Sequence, residues 1–123
     1  MVRMFKPQFA PLVENGTKRQ TVRPTPKRMP KVGDEISLRA WMGAPYRSKQ
    51  RVLRESVVDR VSKIEIEDYA VRIDGITLHH GEEESFAMAD GFSSIVELTD
   101  WFRATHGLPF TGILISWADC IAE

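Results

Sequence analysis

The residues best suited to chemistry lie in one short segment, GTKRQTVR, at positions 16–23. A predicted short helix ends just before it, and the residues that follow are expected to be extended. Side chains two apart in an extended chain share a face, so Thr21 and Arg23 point the same way, with Lys18 nearby. An ammonium, a hydroxyl and a guanidinium together suit a phosphate, a carboxylate or a nucleobase. A solvated basic turn is the alternative interpretation of the same residues.

The charge is unevenly distributed along the chain, although its formal net charge is zero. Residues 1–60 contain 14 Lys and Arg against 5 Asp and Glu, whereas residues 61–123 contain 3 against 12. A strongly basic half favours a polyanionic partner, whose binding would weaken as salt is added. The alternative is that the two halves pack together and neutralise each other.

Other familiar chemical signatures do not occur in the sequence, which has no GxGxxG, P-loop, CxxC or HExxH motif. His79 and His80 precede a run of glutamates, but neighbouring residues on a strand point to opposite faces and do not easily serve one ion. The lone Cys120 is predicted to be a buried or edge thiol and not a nucleophile. We therefore expect neither a metal site nor a cofactor.

Length and composition are those of an ordinary globular protein. The chain has 123 residues, 42% of them hydrophobic and 28% charged, which predicts one domain over residues 1–123. A single cysteine excludes an internal disulfide framework, and no apolar run reaches the length of a membrane span. The first residues are too short and too interrupted for a signal peptide. We expect a soluble, cytoplasmic protein with no membrane partner.

The elements that must position the segment at 16–23 are short strands and a few helices. Strands are predicted at Val2–Phe5, Gln20–Arg23, Glu35–Trp41, Arg51–Ile66 (as one or two strands), Ala70–Ile73, Ile76–Leu78 and Thr111–Asp119. Helices are predicted from Pro7 to Asn15, over Glu82–Asp90 and from Ser94 to His106. Helices and strands do not alternate regularly, so a doubly wound parallel sheet is not expected. The order favours an α+β fold, a small and mainly antiparallel β-barrel with flanking helices.

Several of these motifs together resemble the ASCH domain, a member of the PUA-like superfamily of small β-barrels. In the first half they are Phe5-Lys6-Pro7 before a short helix, the pattern GxKxxTxR, and Val32-Gly33-Asp34 before a strand. In the second half they are FAMADGF at 86–92, Glu97-Leu98, Trp101-Phe102 and GLPF at 107–110. The resemblance covers nearly the whole chain, and the sequence is similar overall to small bacterial or phage-encoded stand-alone members.

This resemblance implies RNA or a modified nucleoside as the ligand, because ASCH domains are thought to bind RNA in a cleft lined by basic and polar residues. Carried over to this sequence, the cleft would be formed around Lys18, Arg19 and Arg23. Tyr46 lies in a predicted loop between proline and basic residues. We predict that its ring is exposed and stacks on a base.

An enzymatic function is the alternative that the resemblance implies, because some small bacterial members are amidohydrolases that remove the acetyl group from 4-acetylcytidine. In those enzymes a lysine and a threonine of the GxKxxT segment work with a downstream glutamate. Lys18 and Thr21 match, whereas the third position falls on Asp90, which is one methylene shorter. A hydroxyl nucleophile needs a base, and Lys18 suits that role if burial or cationic neighbours such as Arg19 and Arg23 lower its pKa. A carboxylate beside it would raise the same pKa, so the net direction is open.

Overall fold

The computed structural model describes residues 1–68 and 70–118. In chain order the elements are β1 (Val2–Met4), α1 (Ala10–Glu14), β2 (Gln20–Pro24), β3 (Glu35–Trp41), β4 (Gln50–Glu67), β5 (Ala70–Ile73), β6 (Ile76–Thr77), α2 (His80–Ala89), α3 (Ile95–Thr105) and β7 (Phe110–Trp117). Helices and strands do not alternate, and the fold class is α+β, as the sequence predicts. Cys120 and the end of the predicted last strand lie outside the described residues.

One long strand, β4, connects the two parts of the seven-stranded sheet. It runs unbroken for 18 residues where the sequence predicts one or two strands. Its first half pairs antiparallel with β3, and its second half pairs with β7 along one edge and β5 along the other. The register against β7 shifts between Val58 and Arg60. A bulge of this kind bends a strand and allows it to pass from one set of neighbours to the next.

The main path of strands runs from β2 through β7, β4 and β3 to β1. All of these neighbours are antiparallel except β1 and β3, which are parallel. The prediction of a mainly antiparallel sheet is therefore confirmed. Within residues 1–68 and 70–118, the two end strands β1 and β2 are not paired with each other, so the path is not hydrogen-bonded into a closed barrel. A gap lies between these two edges.

One hydrophobic cluster, extending from Phe5 to Trp117, joins the sheet to the helices. The alternation predicted for β3 is confirmed, because Ile36 and Leu38 are both almost fully buried. Phe102 of α3 is also buried in this cluster, with its ring centroid 5.2 Å from that of Phe110 in β7. No helix within the described residues is both long enough and apolar enough to cross a membrane.

Local sequence signals set several of the element boundaries. The helix start predicted at Ser94 is confirmed, because Ser94 Oγ accepts a hydrogen bond from the main-chain N–H of Glu97 at 3.1 Å. The turn predicted at Asp74-Gly75 joins β5 to β6. The first helix begins at Ala10 and not near Pro7, because Pro7 belongs to a turn that precedes it.

Candidate functional site

A cavity of about 240 Å³ opens at the gap between β1 and β2. The helix α3 and the C-terminal end of α2 cover it. Its walls are mostly aromatic or apolar, with a few polar and charged groups among them. The lining residues that carry chemistry are Lys6, Lys18, Thr21, Arg23, Asp90 and His106. The cavity therefore brings the segment at 16–23 together with a carboxylate from a part of the chain far away in sequence.

Lys18 and Asp90 form the buried centre of this cavity. Lys18 Nζ donates a hydrogen bond to the main-chain oxygen of Asp90 at 2.5 Å, and it lies 3.5 Å from the carboxylate oxygen Oδ1. Both residues are buried, with 3% and 2% of their surface exposed. The sequence suggests Asp90 as the acid of the site, and the structure places this side chain beside Lys18.

Main-chain contacts bring these two residues together. The N–H of Lys18 donates to the carbonyl oxygen of Leu12 in α1, and the N–H of Arg19 donates to Ala89 at the end of α2, both at 2.9 Å. Asp90 is the C-cap of α2, so the end of that helix sets the position of its carboxylate. The segment before β2 is thus held between two helices.

Gly91 makes this close approach possible. Its φ is +94°, in the left-handed region that L side chains rarely adopt. A Cβ at this position would lie 3.1 Å from Cδ of Lys18, closer than ordinary van der Waals contact. Glycine therefore allows both the turn after α2 and the contact with the lysine side chain.

Thr21 and Arg23 lie on one face of β2, as the extended spacing predicts. Arg23 Nε donates to Thr21 Oγ1 at 2.9 Å, and Arg23 Nη2 donates to the main-chain oxygen of Met4 at 2.8 Å. The second bond crosses the gap between β2 and β1. Arg23 therefore both orients the threonine hydroxyl and links the two ends of the strand path. Burial lowers the pKa of its guanidinium to about 10, and the charge of Arg3 adds to this effect.

The Asp90 carboxylate is not fully satisfied by the protein. Its Oδ1 atom is buried and accepts no hydrogen bond. Burial raises the pKa of Asp90 from 3.8 to about 6, while the nearby Lys18 ammonium, the Gln20 amide and the charge of Arg23 act in the opposite direction. Buried polar atoms are normally hydrogen-bonded, whereas this oxygen is balanced by the charge of Lys18 Nζ, 3.5 Å away.

The direction of the Lys18 pKa, which the sequence leaves open, is downward. Burial lowers it and is the largest effect, the Asp90 charge raises it, and the charge of Arg23 lowers it again. A lysine in this state gives up its proton more readily than one in water, which is what a general base requires. The carboxylate reduces this shift without reversing it.

Aromatic rings form a large part of the cavity wall, and the sequence interpretation assigns none of them to the site. Phe9 packs edge-on against both Phe92 and Trp101, with centroid separations of 5.4 and 5.7 Å. Lys18 Nζ lies 5.0 Å from the ring centroid of Phe9, and Lys6 Nζ lies 5.4 Å from that of Trp101. Trp101 and the buried Phe102 are adjacent on α3 and cannot both face the core, which is a signal in the sequence for a second apolar surface.

His106 is a further group in the cavity that the sequence interpretation does not single out. It follows α3 and packs between Phe102 and Phe110, with centroid separations of 5.5 and 5.0 Å. Burial lowers its pKa, and the charges of Lys6 and Arg23 add to that effect. The cavity thus holds several basic groups and a single carboxylate among the described residues.

Two of the predicted binding residues do not line this cavity. Arg19 is exposed and directs Nε to the main-chain oxygen of Gly16 at 3.2 Å. Tyr46 is 89% exposed, as predicted, and its ring lies 5.2 Å from that of Trp41 at the turn between β3 and β4. Any contact of these two residues with a ligand would lie outside the pocket formed by Lys18 and Asp90.

Protein-family models, curated proteins and solved structures contain no match to this chain. The kind of ligand that suits the pocket therefore follows from the groups that line it. An aromatic wall, the Asp90 carboxylate, a hydroxyl and several cations favour a planar, polar ring over a long aliphatic or strongly cationic ligand.

Proposed function

We propose that this protein is an ASCH domain of the PUA-like superfamily and that its pocket binds RNA or a modified nucleoside through the base. The observation that carries this proposal is the pair formed by Lys18 Nζ and Asp90 Oδ1, 3.5 Å apart, in a cavity that is lined by aromatic rings and also contains Thr21 and Arg23. The ring atoms of a base offer both donors and acceptors at their edge, so one base can satisfy the carboxylate and a cation together.

The size of the cavity supports a single base or nucleoside as the bound group. Pockets for drug-sized ligands span roughly 300–1,000 Å³, and this one is about 240 Å³. A base entering it would lie among the rings of Phe9, Phe92 and Trp101. Stacking on aromatic rings contributes about 1–3 kcal/mol per base. An RNA strand would therefore place one splayed base in the pocket and leave its neighbours outside.

The course of the strands supports the PUA-like part of the proposal. The two end strands of this path, β2 and β1, approach each other at the pocket, where Arg23 Nη2 donates to Met4 O at 2.8 Å. This arrangement is expected of a small barrel in which a side chain, and not strand pairing, bridges the gap between β1 and β2. The ligand would then bind at the gap between these two strands.

Equilibrium binding measurements at low ionic strength test this function. Cytidine, 4-acetylcytidine and a short single-stranded RNA would be titrated into the wild type and into Lys18→Ala, Arg23→Ala and Arg23→Lys. We expect roughly tenfold or greater loss of affinity in these variants, because the two alanine variants remove a charged donor from a buried site and Arg23→Lys removes the planar donor set. Lys49→Ala and Arg47→Ala, in the exposed loop after β3, are the matched controls.

Two results would exclude the proposal. The first is an absence of RNA and nucleoside affinity in the wild type at low ionic strength. The second is an equal loss in the loop controls, which would indicate binding by general charge alone. Circular dichroism of each variant shows whether it is folded, and Arg23→Lys keeps the charge while removing the planar donor set.

A second candidate function is the hydrolysis of an acylated cytidine, and it is favoured by the environment of Thr21. The hydroxyl accepts a hydrogen bond from Arg23 Nε at 2.9 Å, which would stabilise an alkoxide at Thr21 Oγ1. Burial lowers the pKa of Lys18 in the same cavity, as a base for Thr21 requires. In this scheme Asp90 would orient Lys18 or protonate the leaving amine.

Incubation of the protein with 4-acetylcytidine, with cytidine release followed by chromatography, decides between binding and catalysis. Turnover in the wild type that is abolished in Thr21→Ala would support the enzyme, because the variant lacks the nucleophile. Thr21→Ser keeps a hydroxyl and is expected to retain part of the activity. Absence of turnover at high protein concentration would leave the binding function alone.

A further inference from the structure

A second, more open groove of about 740 Å³ lies beside the candidate pocket. Its lining includes Arg3 from β1, with Pro26 and Arg28 from the loop after β2. The pocket itself is lined by Met4 and Pro24, which are next to these residues in the chain. The two cavities therefore share β1 and the start of the loop after β2 as a common wall.

Two arginines lie at this shared wall, Arg23 in the lining of the pocket and Arg3 in the lining of the groove. Arg3 is half-buried, and its Nη1 donates to the main-chain oxygen of Val2 at 3.1 Å. The charge of Arg3 lowers the pKa of Arg23, so the two cations repel each other. The pKa of Arg3 is itself lowered by burial, with no carboxylate raising it. An anion bound between them would relieve this repulsion.

The carboxylates in the groove are placed where they do not neutralise these arginines. Asp34 Oδ2 accepts a hydrogen bond from the main-chain N–H of Lys31 at 2.9 Å and closes a turn. Glu35 is exposed at the start of β3. Arg28 is exposed as well, and neither it nor Arg3 has an ion-pair partner within residues 1–68 and 70–118.

We propose that Arg3 and Arg28, next to Arg23, form a subsite for a phosphate group attached to the nucleoside whose base occupies the pocket. This inference rests on the proposed function. Guanidinium groups match phosphate oxygens in geometry and charge, and two of them on one anion give directed, charge-assisted hydrogen bonds. The natural ligand would then be a nucleotide, either free or within an RNA strand, and not a bare nucleoside.

The experiment compares four probes by isothermal titration: cytidine, cytidine 5′-monophosphate, cytidine 3′-monophosphate and a single-stranded RNA trinucleotide with a central cytidine. Each probe is measured with the wild type, Arg3→Gln, Arg28→Gln and the double variant. Arg47→Gln in the loop after β3 is the matched control. Arg28→Gln changes only an exposed loop side chain, so the test does not depend on how well Arg3→Gln folds.

In the wild type we expect a phosphate to raise affinity over cytidine by roughly tenfold. The double variant should reduce this gain to less than about threefold and leave cytidine affinity unchanged. A trinucleotide that binds tighter than either monophosphate indicates a strand as the source of the phosphate, and its salt slope should fall by about 0.7 per arginine removed. Equal affinity of trinucleotide and monophosphate indicates a free nucleotide.

Three outcomes overturn the subsite. If cytidine binds and neither monophosphate binds more tightly than it does, the subsite is excluded and the proposed function still stands. If Arg47→Gln reduces the gain in affinity as much as Arg28→Gln does, the gain comes from general charge and not from the subsite. Failure of all four probes to bind removes the proposed function together with the subsite.

Discussion

Lys18 Nζ contacts Asp90 twice, through a 2.5 Å hydrogen bond to the main-chain oxygen and at 3.5 Å from the carboxylate oxygen Oδ1. The main-chain bond exists whatever the protonation state of the carboxyl group. The carboxylate contact depends on charge, and its oxygen has no hydrogen bond from the protein. Lys18 is therefore anchored to the end of α2 by a contact that does not depend on pH, while its contact with the carboxylate does.

The raised pKa of Asp90 predicts a pH-dependent stability. The pKa of its carboxyl group rises from 3.8 to about 6 on folding. The folded protein therefore binds this proton more tightly than the unfolded chain does. The stabilisation is present below about pH 4 and is lost as the pH rises through 6, and a shift of this size is worth on the order of 3 kcal/mol. Relative to wild type, Asp90→Asn should therefore gain about 2–3 kcal/mol in unfolding free energy between pH 4 and pH 7.

Urea denaturation at several pH values between 4 and 7 measures this difference. In Asp90→Asn, the loss of the carboxylate lets the pKa of Lys18 fall further, which acts in the same direction. Asp59→Asn, at an exposed position on β4, is the control and should run parallel to wild type. A difference between Asp90→Asn and wild type that stays constant with pH would contradict the prediction.

The buried ion pair should behave as a unit in a double-mutant cycle. Lys18→Met leaves a buried carboxylate without its cation, and Asp90→Asn leaves a buried cation without its carboxylate. Lys18→Met is expected to cost about 3–5 kcal/mol at pH 7, because an uncompensated buried carboxylate is strongly destabilising. Asp90→Asn is expected to cost less, because burial already disfavours the charged form of this carboxyl group, as its raised pKa shows. The double variant should cost at least about 1 kcal/mol less than the sum of the two. Simple additivity in urea unfolding would show that the pair is not coupled.

Gly91→Ala should disturb the site more than another glycine substitution with a similar backbone conformation. Gly75 has a φ of +82° and nothing within 4 Å of a Cβ, whereas Gly91 has a φ of +94° and a Cβ would meet Lys18 Cδ at 3.1 Å. Gly75→Ala therefore measures the cost of the left-handed backbone alone, about 1–2 kcal/mol. We expect a larger loss of unfolding free energy in Gly91→Ala, together with weaker nucleoside binding. Equal losses would show that the contact with Lys18 is unimportant.

Variants outside the pocket should leave nucleoside binding unchanged. Tyr46 and Arg19 do not line the cavity, so Tyr46→Ala and Arg19→Gln are expected to bind 4-acetylcytidine within about twofold of wild type. Trp101→Leu removes a wall of the pocket and should weaken binding roughly tenfold, since a stacked ring contributes about 1–3 kcal/mol. Calorimetric titration of the three variants tests this, and a tenfold loss in Tyr46→Ala would place the base elsewhere.

Local patterns were enough to predict most of the secondary structure and one face of the site. Hydrophobic alternation identified β3, the Asp74-Gly75 pair identified the β5–β6 turn, and Ser94 identified the start of α3. The common face of Thr21 and Arg23 follows from the geometry of an extended chain. These features depend on residues close together in sequence, and so the sequence alone determines them.

The tertiary structure decided which distant groups meet and what their environment does to them. Asp90 contacts Lys18 because α1 and α2 converge on the segment before β2, and Trp101 turns toward the pocket because Phe102 occupies the core. The downward pKa of Lys18 is likewise a result of packing, since burial outweighs the charge of Asp90. Desolvation depends on every atom that surrounds a group, and most of those atoms come from other parts of the chain.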